Sequence, residues 1–357
     1  MRKASDTAAS LGYFNLARGL GMVLILLGHS ITPFFPEPET AQTLFAGAGS
    51  VLGGGIMAMF FMISGFGFYS RSPKKCVSIQ HRLLLKPYLL TAAAILLTKV
   101  ALALLKRRPF ARHGFELVLT YLLGLNAEGG GQLGRIPVES VSIFWFILAL
   151  FGGWVIYNGI FRLKSGKLQT VLITGCVIAG YLLTLISKVW PYCLPMMLLS
   201  VGYLAAGWQI RRYHLLERKL PLWCWALLAA VTGLSAAFGG VNMVACEWKL
   251  GLLDVAGSFC AGFLLMRLYC RFMSLGLQGS VIRLLEAVGF HSIWVVFLHG
   301  YEKVIFPWYR LGDVLPGGLA VAVCLAARCA VMYILFQLLT LAGRRRRRKR
   351  RPAITLE

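Results

Sequence analysis

Apolar runs close to 20 residues recur along this chain from one end to the other, separated by short polar or basic segments. About 20 such residues cover the hydrocarbon core of a bilayer as a helix. In lipid the backbone must satisfy its own hydrogen bonds, so only helices and closed barrels span. A barrel needs segments of about 10 residues with alternating character, and these runs do not alternate. The pattern predicts an all-α, polytopic integral membrane protein of about ten transmembrane helices. Composition agrees: 58% of the residues are hydrophobic and 14% are charged, against roughly 25% charged in soluble domains.

The ten spans are expected near 11–35, 50–70, 87–105, 141–161, 168–187, 191–210, 221–240, 250–270, 286–306 and 317–342. The connection 106–140 holds an apolar piece, 115–125, too short to cross and expected to be interfacial or re-entrant, and a glycine run, Gly129–Gly131, that marks pliable backbone. The chain divides into a membrane domain, 1–343, and a basic tail, 344–357. Cytoplasmic loops are rich in Lys and Arg, which places both termini in the cytoplasm. The group Lys106, Arg107, Arg108 and Arg112 runs against this, since it falls on the outer side. The net charge of +24 sits mostly in short loops and the tail. There it orients the chain and meets anionic lipid, so no nucleic-acid partner is expected. The nine cysteines form no CxxC pair and no metal-type spacing with His, so neither a disulfide framework nor a metal site is expected.

Two residues break the apolarity of the first span, Arg18 and His29. Eleven residues at about 100° each bring them onto one helical face, about 16 Å apart along the axis. A charged residue at membrane depth is costly and faces a bundle interior or a wet cavity. Taken singly, an Arg that snorkels to the headgroups and a His satisfied in the core explain each residue as well. The shared face favours two stations on one polar track. His299 also lies at membrane depth, with Glu302 three positions on and on the same face. The pair either orients an imidazole or satisfies a buried polar group. Arg82 and Lys86 are one turn apart at the expected start of the third span. There a helix N-terminus would add free N–H groups for a phosphate-bearing ligand; an ordinary basic loop is the alternative. Asp254, Lys99 and Arg328 are polar at depth but fall into no motif.

Four stretches in order resemble the integral-membrane acyltransferase 3 family, whose members O-acetylate cell-surface glycans. They are ARGLGMVLILLGHS at 17–30, the FF-x-x-SGF string around Phe60, Phe61, Ser64 and Phe66, RLLLKPY at 82–88, and the pair WFILALF at 145–151 and SIWVVFLH at 292–299. The likeness departs from the family pattern at Asn15, where Asp is common, and at Leu85, where a second Arg is common. The resemblance implies acyl-CoA, most simply acetyl-CoA, as donor and an extracytoplasmic glycan as acceptor. His29 would be the catalytic base or acyl carrier. Arg18, Arg82, Lys86, Ser64, Trp145, His299 and Glu302 would bind donor or substrate, without a metal. A bacterial plasma membrane is the implied location, with anionic lipids at the basic tail. The rival class is a proton-coupled transporter, which buried Arg and His also suit, though such carriers commonly carry internal repeats and none is visible here.

Overall fold

The computed structural model describes residues 11–34, 44–107, 111–126, 131–133, 136–276 and 278–349. Arg108, Gly129, Gly130 and the tail from Arg350 onward lie outside them. The helices are α1 (Asn15–Ile31), α2 (Leu44–Phe66), α3 (Pro73–Gln80), α4 (Lys86–Leu105), α5 (Ala111–Leu123), α6 (Trp145–Phe161), α7 (Gly166–Ile186), α8 (Leu194–Arg212), α9 (Leu222–Phe238), α10 (Leu252–Met273), α11 (Ser280–Phe290), α12 (Ser292–Ile305) and α13 (Gly317–Lys349). Sheet among the described residues is limited to two small antiparallel hairpins. The first pairs β1 (Gly131–Leu133) with β2 (Ile136–Val138), and the second β3 (Val241–Asn242) with β4 (Glu247–Trp248).

Apolar helices occupy all ten expected segments, and eight are long and apolar enough to cross a membrane. The seventh segment, α9, has 17 residues and is shorter. The ninth is not one straight span: α11 and α12 meet at an angle of 77°. Its cause is a contact between backbones. A Cβ on Gly289 would lie 1.7 Å from the Asn15 carbonyl oxygen, and one on Gly19 would lie 1.9 Å from that of Leu285. The facing glycines let α11 press directly on α1, as small residues do between membrane helices. At His291 the chain turns, and α12 leaves to pack on α4, α1 and α13.

The third span also differs from expectation. It begins at Pro73 rather than near Pro87, and α3 runs into α4 through a π-helical turn, His81–Leu85, in which the Lys86 N–H bonds back to the His81 carbonyl. Pro87 brings no N–H, and the widened turn sits where that donor is missing. Arg82 and Lys86 are therefore inside a continuous helix, and the free N–H groups expected beside them are not there. The short helix α5 keeps one side buried, with Leu117, Thr120 and Tyr121, and exposes Phe115, Val118 and Leu122 on the other. The Tyr88 hydroxyl ties it to α4 by donating to the Tyr121 carbonyl at 2.5 Å.

The helices around α1 and those around α2 form two groups. α2 is embedded among α8, α9 and α10, again through small residues: a Cβ on Gly207 would lie 1.9 Å from the Met62 carbonyl oxygen. Phe61, Tyr203 and Phe259 stack across this contact, with ring centroids 5.7 and 4.0 Å apart. α1 packs instead on α11, α12 and α13 and touches α2 only slightly. The space between α1 and α2 stays open.

Asp254, for which the sequence offered no role, closes one end of that space. Its buried carboxylate accepts from the Ser235 hydroxyl at 2.5 Å, the Gly240 N–H at 3.1 Å and the Leu250 N–H at 2.7 Å. This pins the β3–β4 hairpin over the ends of α9 and α10. The Ser50 hydroxyl fastens the hairpin to α2 by accepting from the Val241 N–H at 2.6 Å and donating to its carbonyl at 3.0 Å. The Asn126 amide donates to the Val244 carbonyl from the α5 side.

Candidate active site

The gap between α1 and α2 is a cavity of about 720 Å³, walled also by α6, α12 and the β3 hairpin. Five of the residues singled out in the sequence line it: Arg18, His29, Ser64, Trp145 and His299. The helical phase that placed Arg18 and His29 on one face is thus the phase that turns both into one chamber. Arg18 is half-buried and donates from Nη2 to Asn15 Oδ1 at 2.5 Å.

A polar cluster gathers around His299, which is fully buried. Its Nδ1 lies 2.5 Å from Glu302 Oε1, the i,i+3 neighbour on α12. Glu302 is itself fully buried and held from two further directions. Arg328 Nη1 from α13 donates to its Oε1 at 3.2 Å, and the Trp308 indole N–H donates to its Oε2. Arg328, only 2% exposed, also donates from Nε to Cys324 Sγ at 3.2 Å and lies 5.5 Å over the Trp308 ring. The hydrogen bond to Glu302 is met by a proton on His299 Nδ1. That leaves the lone pair on His299 Nε2, which is buried without a hydrogen-bond partner. The His29 ring is 5.2 Å away, centroid to centroid, and Lys303 Nζ is 3.5 Å from His29 Nδ1.

Two imidazoles, one oriented by a carboxylate, with an ammonium beside them, form a constellation for moving a proton and stabilising developing charge. Glu302 stands behind His299 and does not line the cavity. Trp145, 2% exposed, forms wall by packing on Phe61 and Phe146. The Ser64 hydroxyl accepts from the Trp154 indole N–H at 2.8 Å. Arg82 and Lys86 are exposed and line no part of the chamber. Among the described residues no group of three or more His, Cys, Asp or Glu is placed to hold a metal ion. Lys303 joins the site without having been expected from the sequence, although it stands four residues after His299 and so on the same face. The sequence showed Arg328 but could not give it a partner.

A multi-pass helical protein that encloses a paired-imidazole site at membrane depth holds the groups that acid–base chemistry needs. The chain matches the acyltransferase-domain family model over residues 11–342 and belongs to the acyltransferase 3 family; it is a membrane acyltransferase. No match is found among curated proteins or among solved structures.

Proposed function

We propose that the protein transfers an acetyl group from cytosolic acetyl-CoA to a hydroxyl of an extracytoplasmic glycan, in a bacterial plasma membrane with both termini in the cytoplasm. The observation that carries this reading is that Arg18 and His29 share one chamber with the Glu302-backed His299. In this orientation α1 runs outward, so Arg18 stands toward the cytosol and His29 about 16 Å deeper.

Arg18 meets the anionic donor as its acyl end enters. Arg82 and Lys86, exposed on the continuous third-span helix, hold the CoA phosphates by charge alone. The acceptor comes from the opposite side. His29 takes the hydroxyl proton as the oxygen attacks the thioester carbonyl. The Lys303 ammonium beside His29 stabilises the oxyanion that forms. Collapse breaks the C–S bond, and the departing thiolate receives the proton taken from the acceptor. His299, its tautomer fixed by Glu302, offers Nε2 as a second station for that proton. The basic tail rests on anionic lipid.

The test is CoA release by the purified protein supplied with acetyl-CoA, comparing wild type with His29→Ala. Release that disappears in the variant supports the assignment. Equal release from both rules out His29 as the base.

A further inference from the structure

We propose that the reaction chamber opens sideways into the membrane between α1 and α2, and that this port takes the hydrocarbon chain of a lipid-borne acceptor. The proposal rests on the acyl-transfer reading and narrows its acceptor class.

The chamber's wall is graded. Met22 and Trp145, each 2% exposed, and Ile56, 5% exposed, line its interior. Leu24, Gly28 and Ile31 on α1 and Gly49, Leu52 and Gly53 on α2 also line it, yet all six are exposed. Leu20 and Val23 continue the exposed face of α1 beyond the chamber, at 48% and 37%. They are apolar residues of a spanning helix, and their surroundings are lipid. The lining of the cavity thus passes without a break into the lipid-facing surface. Among the described residues nothing spans the gap: a Cβ added at Gly28, Gly49 or Gly53 would meet no atom within 4 Å.

The packing explains why the port exists. α1 is held by α11, α12 and α13, whereas α2 is held by α8, α9 and α10. The consecutive helices belong to different groups and are not drawn together. The β3 hairpin, fastened by Asp254 and Ser50, covers the chamber's end, so the side is where a large reactant can enter.

Position decides which reactant uses it. The port spans residues 24–31 of α1, the level of His29, while Arg18 lies about 10 Å or more away along the helix. It therefore opens at the acceptor's end of the chamber. Its rim carries six apolar residues, Thr32 with its hydroxyl turned back onto the Gly28 carbonyl, and no charge, which suits a hydrocarbon chain lying in the bilayer. A hydroxyl-bearing headgroup carried on such a chain would reach His29, His299 and Lys303 with its tail still in lipid.

The test uses the full-length protein in nanodiscs containing a dibrominated phosphatidylcholine, whose chains quench tryptophan on contact. The Trp145 signal is the difference between wild type and Trp145→Phe. The port predicts loss of most of that emission in wild type, and its return in the double variant Gly28→Leu/Gly53→Leu. Unquenched Trp145, or quenching that the double variant leaves unchanged, overturns the port. A second arm compares CoA release from acetyl-CoA, octanoyl-CoA and palmitoyl-CoA by wild type. Release that is fastest with acetyl-CoA supports assigning the chain to the acceptor. Release that rises with acyl length assigns the chain to the donor and overturns the acceptor class. Absence of any His29-dependent CoA release would instead sink the acyl-transfer reading, while the quenching experiment still decides the port.

Discussion

The two helix groups that flank the chamber share glycine-to-carbonyl contacts and differ in what else they bury. Around α2 the contacts are glycine against carbonyl and ring against ring, with Gly207 on Met62 and Tyr203 stacked on Phe259. On the α1 side the buried contacts include an ion pair, Glu302 with Arg328, and His299 hydrogen-bonded to its carboxylate. The difference teaches where the molecule can tolerate change. Close packing in lipid rests on shape, whereas a buried ionic network is stable only while every member is matched. The first group is a scaffold, and in the proposed reaction the second is both scaffold and chemistry.

Substitutions should separate these roles. The largest effect is expected for Arg328→Ala, which leaves the Glu302 carboxylate buried without its guanidinium. Breaking such a pair costs about 3–5 kcal/mol, and thermal unfolding in detergent should fall sharply together with acyl transfer. A variant that unfolds like wild type would show that the ion pair is not the strut described here. Next is His299→Gln, which keeps a polar side chain at the position. Its transfer rate should drop by about a hundred-fold or more, the lower range for a positioned acid–base group, with unfolding little changed. Turnover close to wild type would reduce His299 to packing.

On the α2 side, Gly207→Ala should cost about 1–3 kcal/mol, because the new methyl drives α8 away from α2. Transfer per folded molecule should persist, and selective loss of activity without loss of stability would blur the contrast between the two groups. The smallest effect is expected for Ser50→Ala. It removes one hydroxyl between α2 and the β3 hairpin and should cost about 1 kcal/mol. Faster hydrogen exchange at the Val241 amide would report it.

Much of this architecture was legible in the sequence because hydropathy is a local property. The span positions depend on runs of apolar residues, and the shared face of Arg18 and His29 depends only on helical pitch. What escaped depends on distant partners. The break at His291 comes from Gly289 meeting Gly19 on another helix. The early start of the third span comes from a π-turn that lets the helix run through Pro87, where proline usually marks a first turn. Arg328 was visible as a polar residue at depth, but its partner Glu302 lies on a different helix. Asp254 likewise serves backbone groups of a hairpin that has no signature of its own. Lys303 could have been found, since it stands at i+4 from His299.

The His29–His299 pairing has a further consequence, for the life of the chain in the cell. Its members come from the first and ninth apolar segments, and the carboxylate behind His299 is held by an arginine from the tenth. A chain that has been made only as far as its eighth apolar segment holds one of the two imidazoles. The cluster is complete only once the tenth apolar segment has joined the first and the ninth.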